Sequence, residues 1–322
     1  MTSTLKRAPL TAGLATVFAC SFGALALAAD FPAKTIEVVT HAGAGGGTDV
    51  TSRMMMLRSR RVLKADMVVV NKRGGNGAAA MQFFKTRPAD GHTIMAFTIG
   101  HAITMAKGKT TLNVDEMAPI ARGTDDPQIL MVNCKRSAYK TPEDFVAGMK
   151  KTKLKFGTTN AGGIDHISAY VFAKKGGLMQ PTIVPFKGGG EVATQLVAGS
   201  VDVGVLNLSE ASAQIESGDI CPLVILGVAR MGPIPKAKTA KELGIDVVFS
   251  TVRGFVTHAK TDPAKIAILE KGLVKAMQHS VYQGFLTSVG LDKTSVVGSK
   301  AWGEQIKKMI EDMKPAIKEM GL

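Results

Sequence analysis

Short apolar runs that each end in a glycine-rich loop and then a stretch of helical length recur along this chain, and this alternation limits it to the α/β folds. Thr35-Ile36-Glu37-Val38-Val39-Thr40 leads into Ala42-Gly43-Ala44-Gly45-Gly46-Gly47-Thr48-Asp49 and a helix-length stretch from Val50 to Val62. Met67 to Val70 leads into Gly74, Gly75 and Gly77 and a second helical stretch, Ala78 to Lys85. After the turn Pro88-Ala89-Asp90-Gly91 comes a third run, Thr93 to Phe97. The pattern restarts beyond Asn133, with runs at Leu154–Gly157, Thr182–Phe186, Val201–Val205 and Leu223–Val228, and with glycine loops at Asn160–Gly163 and Gly188–Gly190. Continuous apolar strands separated by helices predict parallel or mixed sheets covered on both faces. In such sheets ligands sit beyond the carboxyl ends of the strands, where these glycines cluster. The stretch from Ala264 to Met320 is helical in pattern with lysine-rich faces.

The beginning of the chain has the parts of a secretory leader. Lys6 and Arg7 precede an uncharged apolar run from Leu10 to Leu27, which closes on Ala26-Leu27-Ala28-Ala29 before Asp30. Cleavage is expected near Ala28/Ala29, giving a periplasmic protein. The competing readings are an uncleaved anchor and a lipoprotein acylated at Cys20. The length of the mature chain suits two domains. The formal charge is +14, but the lysines are scattered, only Arg58-Ser59-Arg60-Arg61 is clustered, and aromatics are 5% of the chain. No base-stacking platform is visible, so nucleic acid is not the expected partner. A positive field drawing in small anions fits better. Cys134 and Cys221 are left either paired or as free thiols, and neither has zinc-ligand spacing, so no metal is expected.

Gly75-Asn76-Gly77-Ala78-Ala79-Ala80 matches a dinucleotide loop, yet no acidic residue ends a strand about twenty residues on to take the ribose, so no cofactor is expected. H-E-x-x-H and G-x-S-x-G are absent, and the chain is expected not to be an enzyme. His41 and His101 come after strands, and His166 opens a helix. In the first glycine loop, missing Cβ atoms let backbone N–H groups converge on a ligand at a helix start that favours negative charge. Asp49 and Arg53, four apart, can also simply pair on the helix.

An ordered set of segments resembles the extracytoplasmic receptors of tripartite tricarboxylate transporters, the Bug-type periplasmic binding proteins. The set is Phe31-Pro32-Ala33-Lys34; Gly46-Gly47-Thr48-Asp49 with Arg53; Val70-Asn71-Lys72-Arg73 with Gly75 and Gly77; Pro88 to Thr93; His166; Val184 to Gly189; Gly199-Ser200-Val201-Asp202; Thr261-Asp262-Pro263; and Gly290-Leu291. The resemblance implies a two-lobed α/β flytrap with two crossing strands. Residues 30–130 and 255–322 would form the first lobe, completed by the C-terminal helices, and 131–254 the second. The crossings would fall near Leu130–Cys134 and Thr251–Val256. It implies a monomer that captures a small organic carboxylate for the membrane components of a tripartite transporter; the alternatives are a periplasmic sensor of the same fold and an exported hydrolase. The site it implies is Gly46, Gly47, Thr48 and Asp49 facing Thr158, Gly163, Asp165 and His166, with Asn207 beside them; Thr98 and His101, just after a strand, are added as residues that line the cleft. A neutral Asn207 where an ammonium group would want an acid suggests simple or aromatic carboxylic acids rather than Asp or Glu.

Overall fold

The computed structural model describes residues 1–2, 31–159 and 161–322; the leader's apolar run, its cleavage site and Asn160 lie outside them. From Pro32 onward the chain is one compact unit. Its first part runs β1 (Ile36–Thr40), α1 (Gly47–Leu63), β2 (Met67–Asn71), α2 (Ala78–Lys85), β3 (Thr93–Thr98), α3 (Ile99–Ala106) and β4 (Met117–Pro127). The second part comprises β5 (Ile129–Asn133), α4 (Pro142–Met149), β6 (Lys155–Thr158), α5 (Ile164–Lys175), β7 (Thr182–Pro185), α6 (Gly189–Ala198), β8 (Val203–Leu206), α7 (Ser212–Glu216), β9 (Ile220–Ile225) and β10 (Lys238–Thr239). The chain then returns through β11 (Ser250–His258), α8 (Pro263–Met277), α9 (Ser280–Ser288), β12 (Val297–Gly298) and α10 (Ser299–Glu319).

Two six-stranded mixed sheets result, ordered β12-β4-β11-β3-β1-β2 and β10-β9-β5-β8-β6-β7. The apolar runs sort as their composition dictates. The interior strands β3, β5 and β8 are buried at every position, because helices cover both faces. At the edges, β2 and β7 expose part of their length. The C-terminal segment completes the first sheet with β11 and β12. On α10, Trp302 is fully buried against Gly254 of β11 and meets Phe97 of β3 edge-on at 6.2 Å.

The chain leaves the first sheet at Gln128 and re-enters it at Phe249, short of the crossings expected. Three backbone bonds tie the two passages: Gln128 N–H to the Phe249 carbonyl (2.9 Å), Leu226 N–H to that of Gln128 (2.8 Å) and Phe249 N–H to that of Leu226 (2.8 Å). The shift has a simple cause. β4 is an eleven-residue strand interrupted by Pro119, Arg122, Gly123, Asp125 and Asp126, so it lacks the apolar run that marks the others, and only β5 beyond the crossing looks like a strand. Cys134, just past β5, and Cys221 in β9 form a disulfide, with Cα atoms 5.1 Å apart, which resolves the open alternative.

Candidate functional site

The carboxyl ends of β1 and β3 face those of β6 and β8 across the two crossings. Each side presents a helix N-terminus at the end of a glycine loop. In the first, Gly46 is the N-cap of α1, and having no side chain it leaves the first-turn N–H groups without a capping oxygen. Gly45 takes the left-handed φ of +80° that the turn into the helix requires. Asp49 is only 1% exposed and holds this loop in shape: its carboxylate accepts from Gly45 N–H (3.0 Å), from Arg53 (2.8 and 3.1 Å) and from Asn71 Nδ2 (2.9 Å). The Arg53 bond comes first among the causes that lower its pKa to about 2. Asp49 therefore shapes the cradle, with its oxygens already engaged. A Cβ on Gly46 would press on Ala42 and Gly43 of the loop itself, whereas one on Gly47 would stand 3.0 Å from the Arg253 guanidinium.

The second loop has the same construction. Asp165 accepts from both Thr159 N–H (2.8 Å) and Thr159 Oγ1 (2.5 Å), and Gly163 caps α5 without a side-chain bond. His166 Nδ1 accepts from Gly162 N–H at 3.0 Å, which puts the proton of the neutral ring on Nε2. Burial, chiefly, lowers its pKa, and Lys107 adds to the effect. Lys107 joins the two sides by donating to the Gly162 carbonyl at 3.2 Å. The Thr158 hydroxyl is buried without a partner. On the first side, Thr98 N–H donates to His101 Nδ1 (3.1 Å), leaving His101 Nε2 buried and unpartnered. The His101 ring fills the space beside Gly77, which holds a left-handed φ of +97°. The loop that matched a dinucleotide motif is thus the seat of this histidine.

Between the loops lies a floor that the sequence patterns did not reveal. Arg253 stands opposite Thr124 of β4 and Thr98 of β3 on the face that α1 covers. Its guanidinium makes no hydrogen bond or close ion pair among the described residues. Asp126 is diagonal to it across the β4–β11 pair, a separation of about 7–8 Å or somewhat less between Cβ atoms. Its Oδ1 is buried without a partner, as are Thr124 Oγ1, Gln128 Oε1 and the Tyr282 hydroxyl. Glu210 accepts from Asn207 N–H (2.9 Å), and its carboxyl fills the place beside Gly189 where a Cβ would stand, at the start of α6. Burial first, then Arg253, pushes His41 down to about 4.

Asn207 is placed differently from its expected role. Its Nδ2 donates to the carbonyls of Asp126 (2.9 Å) and Pro127 (3.0 Å), and its Oδ1 accepts from Thr251 (3.2 Å), so the amide clasps the two crossing strands. The carboxyl groups of Asp126 and Glu210 lie next to this amide. A polar pair in Val252-Arg253-Gly254-Phe255 and Thr124-Asp125-Asp126 was the available signal, since charge inside a buried strand calls for a partner.

Burial, the largest cause, raises the Asp126 carboxyl to about 7; Arg253 opposes the rise and Glu210 adds to it. The folded chain then holds a proton that the unfolded chain releases above about pH 4, so this group lowers stability as pH climbs from about 4 to about 7. Asp126→Asn is expected to melt above the parent at about pH 7.5 and level with it near pH 4. Melting curves at the two pH values check this, and an equal gap at both would contradict the assignment.

Comparison with known proteins adds the family. The model for the tripartite tricarboxylate transporter family receptor, TctC, matches residues 51–322. The chain belongs to the TctC family. A curated relative from Cupriavidus necator, the UPF0065 protein in the gbd 5' region, is 25% identical over 99% of this chain and 97% of its own. An unliganded TctC solute binding protein from Polaromonas superposes with a TM-score of 0.83 at 24% identity, covering 90% of this chain and 99% of that one. MatC from Rhodopseudomonas palustris, solved with bound malate, gives 0.69 at 22% identity over 89% and 100%. The two mixed sheets are the two lobes of this TctC fold, and family and fold are those of solute-binding proteins. Among the described residues no helix is long and apolar enough to cross a membrane, and no cluster of metal-ligating side chains occurs.

Proposed function

We propose that this TctC receptor works in the periplasm, after removal of a leader near Ala28/Ala29, and delivers a small organic carboxylate as a monomer to the membrane components of a tripartite transporter. One observation carries the carboxylate reading: the half-buried Arg253 guanidinium, without a close counter-ion, lies against Gly47 at the uncapped start of α1. A helix N-terminus and a guanidinium in one place form an anion site, the first through aligned backbone dipoles and the second through a planar pair of donors. The backbone N–H groups of Gly47, Thr48 and Asp49 and the Arg253 guanidinium would hold the carboxylate from one lobe, with Thr98 and His101 beside them, and Thr158, Gly163 and His166 would close on it from the other. Asp49 and Asp165 would act by fixing the loops. The malate in MatC supports the solute class, and the disulfide suits an oxidising compartment.

A thermal-shift panel of mono-, di-, amino- and aromatic carboxylates tests the reading. At about 100 times its Kd a true solute adds about 2.7 kcal/mol, which moves the midpoint by roughly 5–10 °C in a chain of this size. A panel without a single shift beyond noise would remove the basis for a carboxylate receptor. Terminal sequencing of protein from the periplasm of a Gram-negative host should find Ala29 or Asp30 first; an intact Met1 in the membrane fraction would overturn export with cleavage.

A further inference from the structure

The floor of the cleft is acidic where the mouth of α1 is basic, and the two lie within one side-chain length of each other. Arg253 and Asp126 sit on the same face of neighbouring antiparallel strands, two register steps apart. Asp126 is 4% exposed and its Oδ1 has no partner. Glu210 closes the same floor from the second lobe, its carboxyl packed on Gly189. Asp165, buried at 3% exposure, is a third acidic group near it. Burial is the first cause that raises the Glu210 pKa, and the Asp165 charge adds to the rise. The one cation among these four is Arg253. Two further cations stand near the loops: Arg73, whose side chain lies against Gly43, and Lys107, which comes after the eight-residue α3, about 12 Å along the helix from the end of β3, with its ammonium bonded to the Gly162 carbonyl.

Charge arithmetic then separates solute classes. A carboxylate bound at Gly47 and Arg253 neutralises the only cation of the floor and leaves the acids facing the rest of the solute. Above about pH 7, once Asp126 has lost its proton, a second carboxylate there would meet like charge, which weakens binding. A positively charged nitrogen would meet acceptors, including the free Asp126 Oδ1, and would restore the counter-charge the arginine no longer supplies.

Resting on the receptor reading, we propose that Asp126 and Glu210 make this protein selective for solutes bearing one carboxylate and, at the far end, an ammonium group, and that they exclude the dicarboxylate of equal length. The selectivity is the reverse of what a neutral Asn207 suggested, and it separates this chain from the malate-bound MatC.

Three matched pairs test it by calorimetric titration at about pH 8, where Asp126 is ionised: β-alanine with succinate, 4-aminobutyrate with glutarate, and 5-aminopentanoate with adipate. In at least one pair the amino acid is expected to bind about 100-fold more tightly than its partner. Glu210→Gln should narrow that ratio by about tenfold or more, and Asp126→Asn should do the same. Because both replacements keep size and shape, a variant that stays folded at the titration temperature reports on charge; if one fails to fold, the other decides. Dicarboxylates that bind as tightly as their amino partners in every pair that binds overturn the proposal, and so does a ratio untouched by either folded variant. Failure of every probe together with the whole carboxylate panel would instead sink the receptor reading itself.

Discussion

Replacing Arg253 by glutamine is expected to weaken binding of whichever carboxylate the panel identifies by about 100-fold or more, the effect of deleting one member of a buried charge-assisted pair. Glutamine keeps a donor but loses the charge and the forked geometry that matches two carboxylate oxygens. Arg253→Lys keeps the charge without the fork and should fall between the two, so the series separates charge from geometry. Folding should survive both replacements, since the guanidinium makes no hydrogen bond that the chain would miss. Gly47→Ala probes the same contact from the other side, because its methyl would stand 3.0 Å from the guanidinium and push it off the helix start. Titrations on variants with unchanged melting check the claim. Full affinity in Arg253→Gln would mean that backbone amides alone hold the anion.

Loss of the Cys134–Cys221 bridge should give the largest change in stability. The two cysteines are 87 residues apart in sequence, and closing a loop of that length removes unfolded-state entropy worth about 4–5 kcal/mol in the chain-entropy model. In a chain of this size that corresponds to a midpoint lowered by roughly 10–20 °C. The bridge joins the end of β5 to the start of β9, away from the cleft, so a Cys134→Ser/Cys221→Ser double variant that stays folded at low temperature should bind its solute as the parent does. Reduction of the parent should reproduce the loss of stability. A double variant melting within a few degrees of the parent would show that the second sheet holds this edge without covalent help.

Much of the first lobe was legible because its strands carry uninterrupted apolar runs. Ile36–Thr40 and Thr93–Thr98 meet a two-sided burial requirement, Met67–Asn71 meets it only in part at the sheet edge, and glycine loops follow the first two strands where the chain turns into helices. β8 is likewise buried throughout and β6 is buried after Lys155, while β7 lies exposed in part at the edge. β4 was not legible: most of its residues from Pro119 on are proline, glycine or charged, and it is a strand because β11 pairs with it along its whole length. β11 itself arrives more than a hundred residues later, and no local pattern encodes that pairing.

The candidate site divides along the same line. Glycine at a helix start is a local property, so the cradle at Gly46 and Gly47 and its counterpart at Gly163 were visible in the sequence alone, as was the pairing of Asp49 with Arg53. Arg253, Asp126 and Glu210 lie far apart in the chain and meet only where two crossing strands and a loop of the second lobe converge. Asn207 illustrates the difference: its place in the sequence suggests a solute contact, and only the tertiary structure shows its hydrogen bonds to Asp126, Pro127 and Thr251 across the crossing strands. Backbone conformation and the burial pattern of strands depend on residues a few places apart, and the sequence determines them by itself. Electrostatics in a cleft depends on charges brought together through space, and only the tertiary structure decides which of them share it.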